Sequence, residues 1–370
     1  MYNGIKVLDV HSHIHDWTQG RHGSYRLGRP FLNALTGSVG IGATRPIPSP
    51  IAPGKHSDAP GNKDEDFKAV AEAHAKYLDV SNIDTQVLSV HPLNLNGWLA
   101  PHLFRSWITY SNDMVFKLCQ AQPTRFVGAC QIPQVASEED TRSCVKELER
   151  CVQELGFVAA YVSPDITGNR DTPGMGTSYW YPLYEKFQEL GIPIIVHGSN
   201  GLDPRYRTMG EFEYYQLNFL TEQHTALVCL RTSDVFQRFP GLKVVICHCG
   251  GALERLIGEN RSFLGNDKDL SNNLFFDTCA YDLDFLALAI KQRGISQMAY
   301  GTEAPGSGTM LRPGTEHTAD DLVPMIGEDP TLGFLSERDK ADIFYNTPAK
   351  LCQGLADAAA TNAKTKSKAY

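Results

Sequence analysis

The sequence lacks the features that mark a membrane, nucleic-acid-binding or secreted protein. No apolar run approaches the roughly 20 residues of a membrane-spanning helix. The net charge of −8 comes without any block of basic residues. Residues 1–6 lead directly into an apolar segment and carry no signal-peptide pattern. The nine cysteines form no Cys-x-x-Cys pair, so we expect them to be reduced. We therefore predict a cytoplasmic protein with no membrane or nucleic-acid partner.

Short apolar runs and amphipathic segments alternate along the 370 residues. Eight apolar, β-branched runs occur at residues 5–10, 85–90, 126–132, 157–162, 192–196, 243–247, 273–278 and 297–300. Helical periodicity occurs at residues 65–78, 138–155, 181–190, 252–263 and 283–293. Buried parallel strands separated by amphipathic helices predict an α/β fold, and eight such units predict a (β/α)8 TIM barrel. A doubly wound sheet is the alternative, but no phosphate-binding glycine turn follows a strand.

The predicted domain spans residues 1–355 and has two long loop insertions. The first, residues 14–64, is too long for an ordinary connection and is rich in glycine, proline and arginine. The second, residues 198–221, contains Arg205 and Arg207. We expect both to cover the barrel mouth, where arginines can bind substrate carboxylates, and one to help form a homodimer or homotetramer. The Ala-, Lys- and Thr-rich residues 356–370 are predicted to be a disordered tail.

The predicted strands end in side chains that can bind metals or transfer protons. In a TIM barrel the C-terminal ends of the strands meet at one face, where active sites lie. His11 and His13 end the first strand and point to the same side, because they are two residues apart. The residues at other strand ends include His91, His197, His248 and Glu303. Converging imidazoles and a carboxylate predict a site for a divalent ion at this face.

These segments resemble the amidohydrolase superfamily. The resemblance covers residues 5–352 and lies in the branch that contains aminocarboxymuconate-semialdehyde decarboxylase, γ-resorcylate decarboxylase and 4-oxalomesaconate hydratase. The matching segments are His11-Ser12-His13, the strand that ends in His197, His248-Cys249-Gly250-Gly251 and residues 342–349. Most of the branch has Asp after strand eight, whereas Glu303-Ala304-Pro305-Gly306 is similar to the hydratase group. His91 is a departure, because that group looks to have arginine at this position.

The resemblance implies a role for each residue at the strand ends. His11, His13 and His197 would hold one divalent ion, for which we expect zinc, with manganese as the alternative. Glu303 would be a fourth ligand, a general acid or base, or a group that orients a histidine. His248 is similar to the branch's proton-transfer histidine, and a nearby cation should disfavour its protonated form. His91, Arg205 and Arg207 are candidate substrate-binding residues.

Four functions remain open at this point. The first is a hydro-lyase that adds water to, or removes it from, a small unsaturated oxo-carboxylic acid. The others are a non-oxidative decarboxylase of an aromatic or enol carboxylic acid, a hydrolase of a lactone, amide or ester, and a barrel that only binds ligands. Glu303 favours the hydro-lyase over the decarboxylase. All of the enzymatic alternatives imply a metal-dependent reaction on a small molecule.

Overall fold

The computed structural model describes residues 1–14, 63–92, 95–97, 99–199, 211–254, 269–306 and 308–367. Within these residues, eight parallel strands pair in chain order from β1 to β8. The strands are β1 Leu8–Asp9, β2 Thr85–Leu88, β3 Phe126–Gln131, β4 Ala159–Val162, β5 Ile194–Val196, β6 Val244–Ile246, β7 Leu274–Asp277 and β8 Met298–Ala299. The backbone N–H of Val10 donates to the carbonyl of Tyr300 at 2.9 Å, which joins the first strand to the last. The predicted TIM barrel is therefore confirmed.

Helices separate the strands and cover the outside of the barrel. The α-helices of the described residues are α1 Asp64–Val80, α2 Pro101–Ala121, α3 Val145–Gln153, α4 Tyr181–Leu190, α5 Glu211–Thr232, α6 Val235–Arg238, α7 Leu283–Arg293, α8 Leu322–Glu328, α9 Glu337–Ala341, α10 Thr347–Leu351 and α11 Gln353–Ser367. A π-helical segment, Asp342–Asn346, joins α9 to α10. Among the described residues, no helix is long and apolar enough to cross a bilayer.

Two apolar layers position the site. The larger lies between the helices and the outer face of the strands, and includes Trp107, Trp180 and Phe187, which are all fully or almost fully buried. The smaller fills the barrel interior with side chains such as Val87 and Phe275. Because both faces of each strand are buried, the strands read as continuous apolar runs, as parallel strands in barrels do. The polar residues that follow the strands are therefore held on a rigid frame.

The C-terminal segment corrects one prediction. The composition of residues 356–370 predicts a disordered tail, but α11 covers Gln353–Ser367. Leu355, Ala356 and Ala359 are buried against the residues of the barrel interior, and the Lys6 ammonium donates to the carbonyl of Ala359 at 2.8 Å. Alanine has a high helix propensity, and apolar residues spaced by three or four face one side of a helix. This helix closes the barrel at the end opposite to the polar strand ends.

The long connections were predicted less well. Helix α5 begins at Glu211, so part of the predicted 198–221 insertion is regular helix. Helix α2 was not identified from the sequence, although it buries Phe104 and Trp107. Residues 15–62 of the predicted insertion at 14–64 and most of the predicted helix at 252–263 lie outside the described residues. The predictions that the loops cover the barrel mouth and form an oligomer contact remain predictions.

Candidate metal centre

The structure brings the predicted strand-end residues together at one end of the barrel. His11 and His13 follow β1, and His197 follows β5 directly. Glu303 lies four residues after β8, where its backbone N–H donates to the carbonyl of His11 at 2.8 Å. His11 and His13 are 0% exposed, His197 is 2% exposed and Glu303 is 4% exposed. A charged or strongly polar set this deeply buried needs partners inside the protein.

The imidazole nitrogens converge on one point. The Nε2 atoms of His11 and His13 are 3.2 Å apart. Glu303 Oε1 lies 3.3 Å from Nε2 of His197 and 3.9 Å from Nε2 of His13. One ligand atom from each of these four residues lies within 4.8 Å of the others. This spacing allows all four side chains to surround a single ion.

Hydrogen bonds at the opposite ring nitrogens determine the tautomers. His11 Nδ1 lies 2.6 Å from a carboxylate oxygen of Asp277, and His197 Nδ1 lies 2.7 Å from the carbonyl oxygen of Gly198. Both partners only accept hydrogen bonds, so each Nδ1 carries the proton. His13 Nδ1 lies 2.9 Å from the hydroxyl oxygen of Ser89, which can also accept. In the tautomer that carries its proton on Nδ1, each ring turns an unprotonated Nε2 atom toward the others.

This arrangement fits a cation. Lone pairs on Nε2 of His11 and His13 face each other at 3.2 Å, and the lone pair of His197 faces the Glu303 carboxylate. Facing acceptors in a dry site repel, and a divalent ion converts that repulsion into four favourable contacts. Histidines that bind metals are held in the same way, with the second ring nitrogen donating to a carboxylate or carbonyl. The described residues thus include a buried His/Glu set suited to a divalent metal ion.

Burial keeps two of these histidines neutral. It lowers the pKa of His13 well below its ordinary value, and the neighbouring His91, His11 and His197 lower it further. Burial also lowers the pKa of His197 to about 4, because the nearby carboxylate of Glu303 offsets only part of the desolvation. Metal ligation needs the unprotonated ring. These two side chains are therefore in the state required for ligation at neutral pH.

Glu303 connects the histidine set to a second group of polar side chains. Its Oε2 lies 3.5 Å from His248 Nε2 and 3.3 Å from the hydroxyl of Tyr281. Burial favours the neutral acid, but the positive charge of His248 and the hydrogen bond from its ring outweigh that effect. The pKa of Glu303 consequently lies well below its ordinary value. The carboxylate is ionised, with one oxygen on each side.

His248 is held between helix α5 and Glu303. Its Nδ1 contacts the side-chain amide of Gln223, with the amide nitrogen at 2.9 Å and the amide oxygen at 3.2 Å. Burial lowers the pKa of His248, but Glu303 raises it more, so the net shift is upward. This differs from the expected neutral histidine, because the Glu303 carboxylate lies between His248 and the other three rings.

The backbone is strained where these two residues lie. His248 has φ +52° and Glu303 has φ +59°, values that L-residues rarely adopt. Such conformations cost about 1–3 kcal/mol each and cluster at functional sites. Gly251 has φ +82°, and a Cβ there would lie 2.3 Å from the carbonyl oxygen of Leu220 in α5. Gly251 thus lets α5 approach closely enough for Gln223 to reach the imidazole of His248.

A buried carboxylate ties the strands together beneath the site. Asp9 accepts from the backbone N–H of His11 at 2.9 Å, from the Gln86 amide at 2.8 Å and from the Thr302 hydroxyl at 2.6 Å. Burial raises the pKa of Asp9 to about 6, and these hydrogen bonds limit the rise. The network links the segments around β1, β2 and β8. It positions His11 and Glu303 without contacting the converging nitrogens.

The remaining predicted residues have different outcomes. His91 is buried next to His13, with ring centroids 5.0 Å apart, so it borders the site. Arg205 and Arg207 lie outside the described residues, and their substrate-binding role stays a prediction. Sequence reasoning left Asp277 undecided and missed Ser89 and Gln223. Asp277 could be recognised as a candidate because it ends β7. Ser89 and Gln223 belong to no motif that would identify them.

Comparisons with known proteins identify the family of this barrel. A family model described as amidohydrolase matches residues 8–352. The 2-keto-4-carboxy-3-hexenedioate hydratase of a Sphingobium species is 32% identical over 272 residues, which cover 68% of this chain and 77% of that protein. The crystal structure of 4-oxalomesaconate hydratase from Rhodopseudomonas palustris has a TM-score of 0.77 and 25% identity, and the match covers 97% of this chain and 99% of that one.

A more distant neighbour supports the fold. A dihydroxybenzoic acid decarboxylase from a Polaromonas species, solved with bound manganese, has a TM-score of 0.62 at 20% identity. The match covers 94% of this chain and 96% of that one. The family model spans nearly the whole barrel and includes His11, His13, His197 and Glu303. The chain therefore belongs to the amidohydrolase family.

Proposed function

We propose that the protein is a metal-dependent hydro-lyase that acts on a small unsaturated oxo-carboxylic acid. The observation that carries this proposal is the position of Glu303, whose two carboxylate oxygens face the three converging histidines and His248. The hydratases of the Sphingobium species and R. palustris support the substrate class, because both are named for unsaturated oxo-polycarboxylates. The decarboxylase relatives support the alternative less, because their similarity covers less of the chain.

His11, His13 and His197 would hold the ion. We propose zinc, which imidazole nitrogens in a low-coordination site favour, with manganese as the alternative. A divalent ion held there would act as a Lewis acid toward a substrate carbonyl or a water molecule. Asp277, Ser89 and the Gly198 carbonyl keep the three rings in the tautomer that ligation needs. The rest of the chemistry belongs to the protein's own acids and bases.

Adding water across a C=C bond needs one group that takes a proton and another that delivers one. Glu303 is ionised, so it can take a proton from the attacking water through Oε2. His248 has a raised pKa, so its protonated form can deliver a proton to the neighbouring carbon. The two groups face each other at 3.5 Å, and a proton exchanged between them resets the pair after each turnover.

A single assay distinguishes hydration from decarboxylation. Zinc-loaded protein is mixed separately with 2-keto-4-carboxy-3-hexenedioate, 4-oxalomesaconate and γ-resorcylate, while the absorbance of the conjugated system and the release of carbon dioxide are followed together. Hydration bleaches the absorbance of an oxo-acid without gas release and adds the mass of one water to the product. Release of carbon dioxide from any of the three acids, without hydration, would contradict the proposal.

A further inference from the structure

A second group of metal-binding side chains lies on the other side of Glu303. Cys279 follows β7, is 2% exposed, and donates from its backbone N–H to Asp277 at 3.1 Å. Its thiol lies 3.9 Å from the hydroxyl of Tyr281, which in turn lies 3.3 Å from Glu303 Oε2. One ligand atom each from His248, Cys279 and Glu303 lies within 4.8 Å of the others.

The donors suit a second divalent ion of the zinc type. Zinc and cobalt bind thiolate, imidazole and carboxylate, usually with tetrahedral geometry. Two nitrogen or oxygen donors on one tetrahedral ion are about 3.4 Å apart when each bond is about 2.0–2.1 Å long. His248 Nε2 and Glu303 Oε2 are 3.5 Å apart, so they already have the spacing of two such ligands. The hydroxyl of Tyr281 also lies within 3.3 Å of Glu303 Oε2.

A third group of histidine, cysteine and carboxylate side chains is not available to bind a metal ion. His11, Cys247 and Asp277 also lie within 4.8 Å of one another. However, His11 Nδ1 donates to Asp277 at 2.6 Å, so both groups are already committed to that hydrogen bond. Losing it would release the ring that presents Nε2 to the first ion. This leaves Cys279 as the thiol placed to bind a second ion, and makes Cys247 a matched control.

We propose that His248, Cys279 and Glu303 form a second, weaker metal site whose occupation inhibits the enzyme. The two sites share Glu303, with Oε1 facing the first and Oε2 the second. Two nearby divalent ions repel each other and compete for this carboxylate. The first site offers four side chains and the second only three, so the second fills after the first. An ion there would bind the Glu303 oxygen and the His248 nitrogen that transfer protons. The inhibition rests on the proposed function, whereas the binding does not.

Cobalt(II) tests the binding directly, because a cobalt–thiolate bond gives a near-ultraviolet charge-transfer band. Metal-free full-length protein is titrated with cobalt to two equivalents and beyond. We expect no band during the first equivalent and a band that grows with the second. Cys279→Ser and Cys279→Ala should lose the band and the second bound ion but keep the first bound ion. Cys247→Ser should keep the band and both bound ions. Absence of the band in the wild type, or its persistence without the Cys279 thiol, would overturn the site.

Activity measured during the same titration tests the inhibition. In the wild type, activity should rise through the first equivalent and fall with the second, by roughly 10²-fold or more if both proton-transfer groups are blocked. The Cys279 variants should reach the same activity after one equivalent and keep it when cobalt is in excess. If the band forms without loss of activity, the second site stands and the assigned proton-transfer role of His248 and Glu303 is wrong.

Discussion

Replacing Asp277 by asparagine should weaken metal binding without changing the shape of the site. Asp277 Oδ2 accepts from His11 Nδ1 at 2.6 Å, and its Oδ1 accepts from the backbone N–H groups of Cys249 and Cys279 at 3.0 and 3.1 Å. The amide oxygen of asparagine must stay with those two donors, so its NH₂ group faces His11. The Nδ1 atom then has to accept, which moves the ring proton to Nε2 and blocks the nitrogen that should bind metal.

The size of the effect follows from the role of such partners. Loss of a group that orients a metal-binding histidine costs about 10–100-fold in metal affinity, which corresponds to about 1.4–2.8 kcal/mol. His11 and Asp277 are both 0% exposed, so water cannot replace the lost hydrogen bond. We therefore expect the upper half of this range.

A competition titration with a chromophoric zinc chelator measures the dissociation constant in the wild type and in Asp277→Asn. Asp165→Asn is the matched control, because Asp165 is also buried near a strand end but accepts from the Arg170 backbone and the Thr172 hydroxyl instead of a histidine. Its zinc affinity should equal that of the wild type. An unchanged zinc affinity in correctly folded Asp277→Asn would refute the argument that Asp277 fixes the tautomer of His11.

Three further predictions concern the same site. His197→Ala should lower zinc content well below one ion per chain, and equal metal content in variant and wild type, measured by elemental analysis, would sink the ligand assignment. Because the unfolded state binds the His197 proton near pH 6.5 and the folded state only near pH 4, metal-free protein should lose about 3 kcal/mol of stability as pH falls across this window. Denaturant unfolding at several pH values measures the loss, and a flat profile would argue against a buried neutral His197. Glu303→Asp withdraws the carboxylate by about 1.5 Å and should lower kcat, whereas full activity would show that the longer side chain does not matter.

The sequence predicted the barrel and most of the site because both follow local patterns. Eight apolar runs mark the eight strands, and the residue that follows each strand lies at the same face. His11, His13, His197, His248 and Glu303 could therefore be placed together from their positions alone. Family resemblance then limited the chemistry they could perform.

The groups that orient these residues could not be predicted in this way. Ser89 contacts His13 and Gln223 contacts His248 across 76 and 25 residues of chain, and neither belongs to a recognisable motif. Their roles depend on how closely β2 and helix α5 approach the site, which is a property of packing. The same holds for Cys279, whose position opposite Glu303 depends on the backbone bend at φ +59°.

Residues 356–370 show that composition can mislead when the spacing of the apolar residues is not considered. The many alanine, lysine and threonine residues of this tail predict disorder. The helix forms because Leu355, Ala356 and Ala359 share one face that the open end of the barrel can bury. The amino-acid composition of the tail does not reveal that the open end of the barrel is available to bury this face.

The most direct test of the account is Glu303→Gln, assayed for zinc content and for hydration of 4-oxalomesaconate in the same preparation. Glutamine keeps the shape and the hydrogen bonding of the side chain but cannot ionise. We predict one zinc per chain, an unchanged KM and a kcat reduced by about 10²–10⁴-fold, because the lost group acts in the transition state. Wild-type kcat would contradict a proton-transfer role. Loss of zinc, with activity partly restored by added metal, would show instead that the main role of Glu303 is to hold the ion.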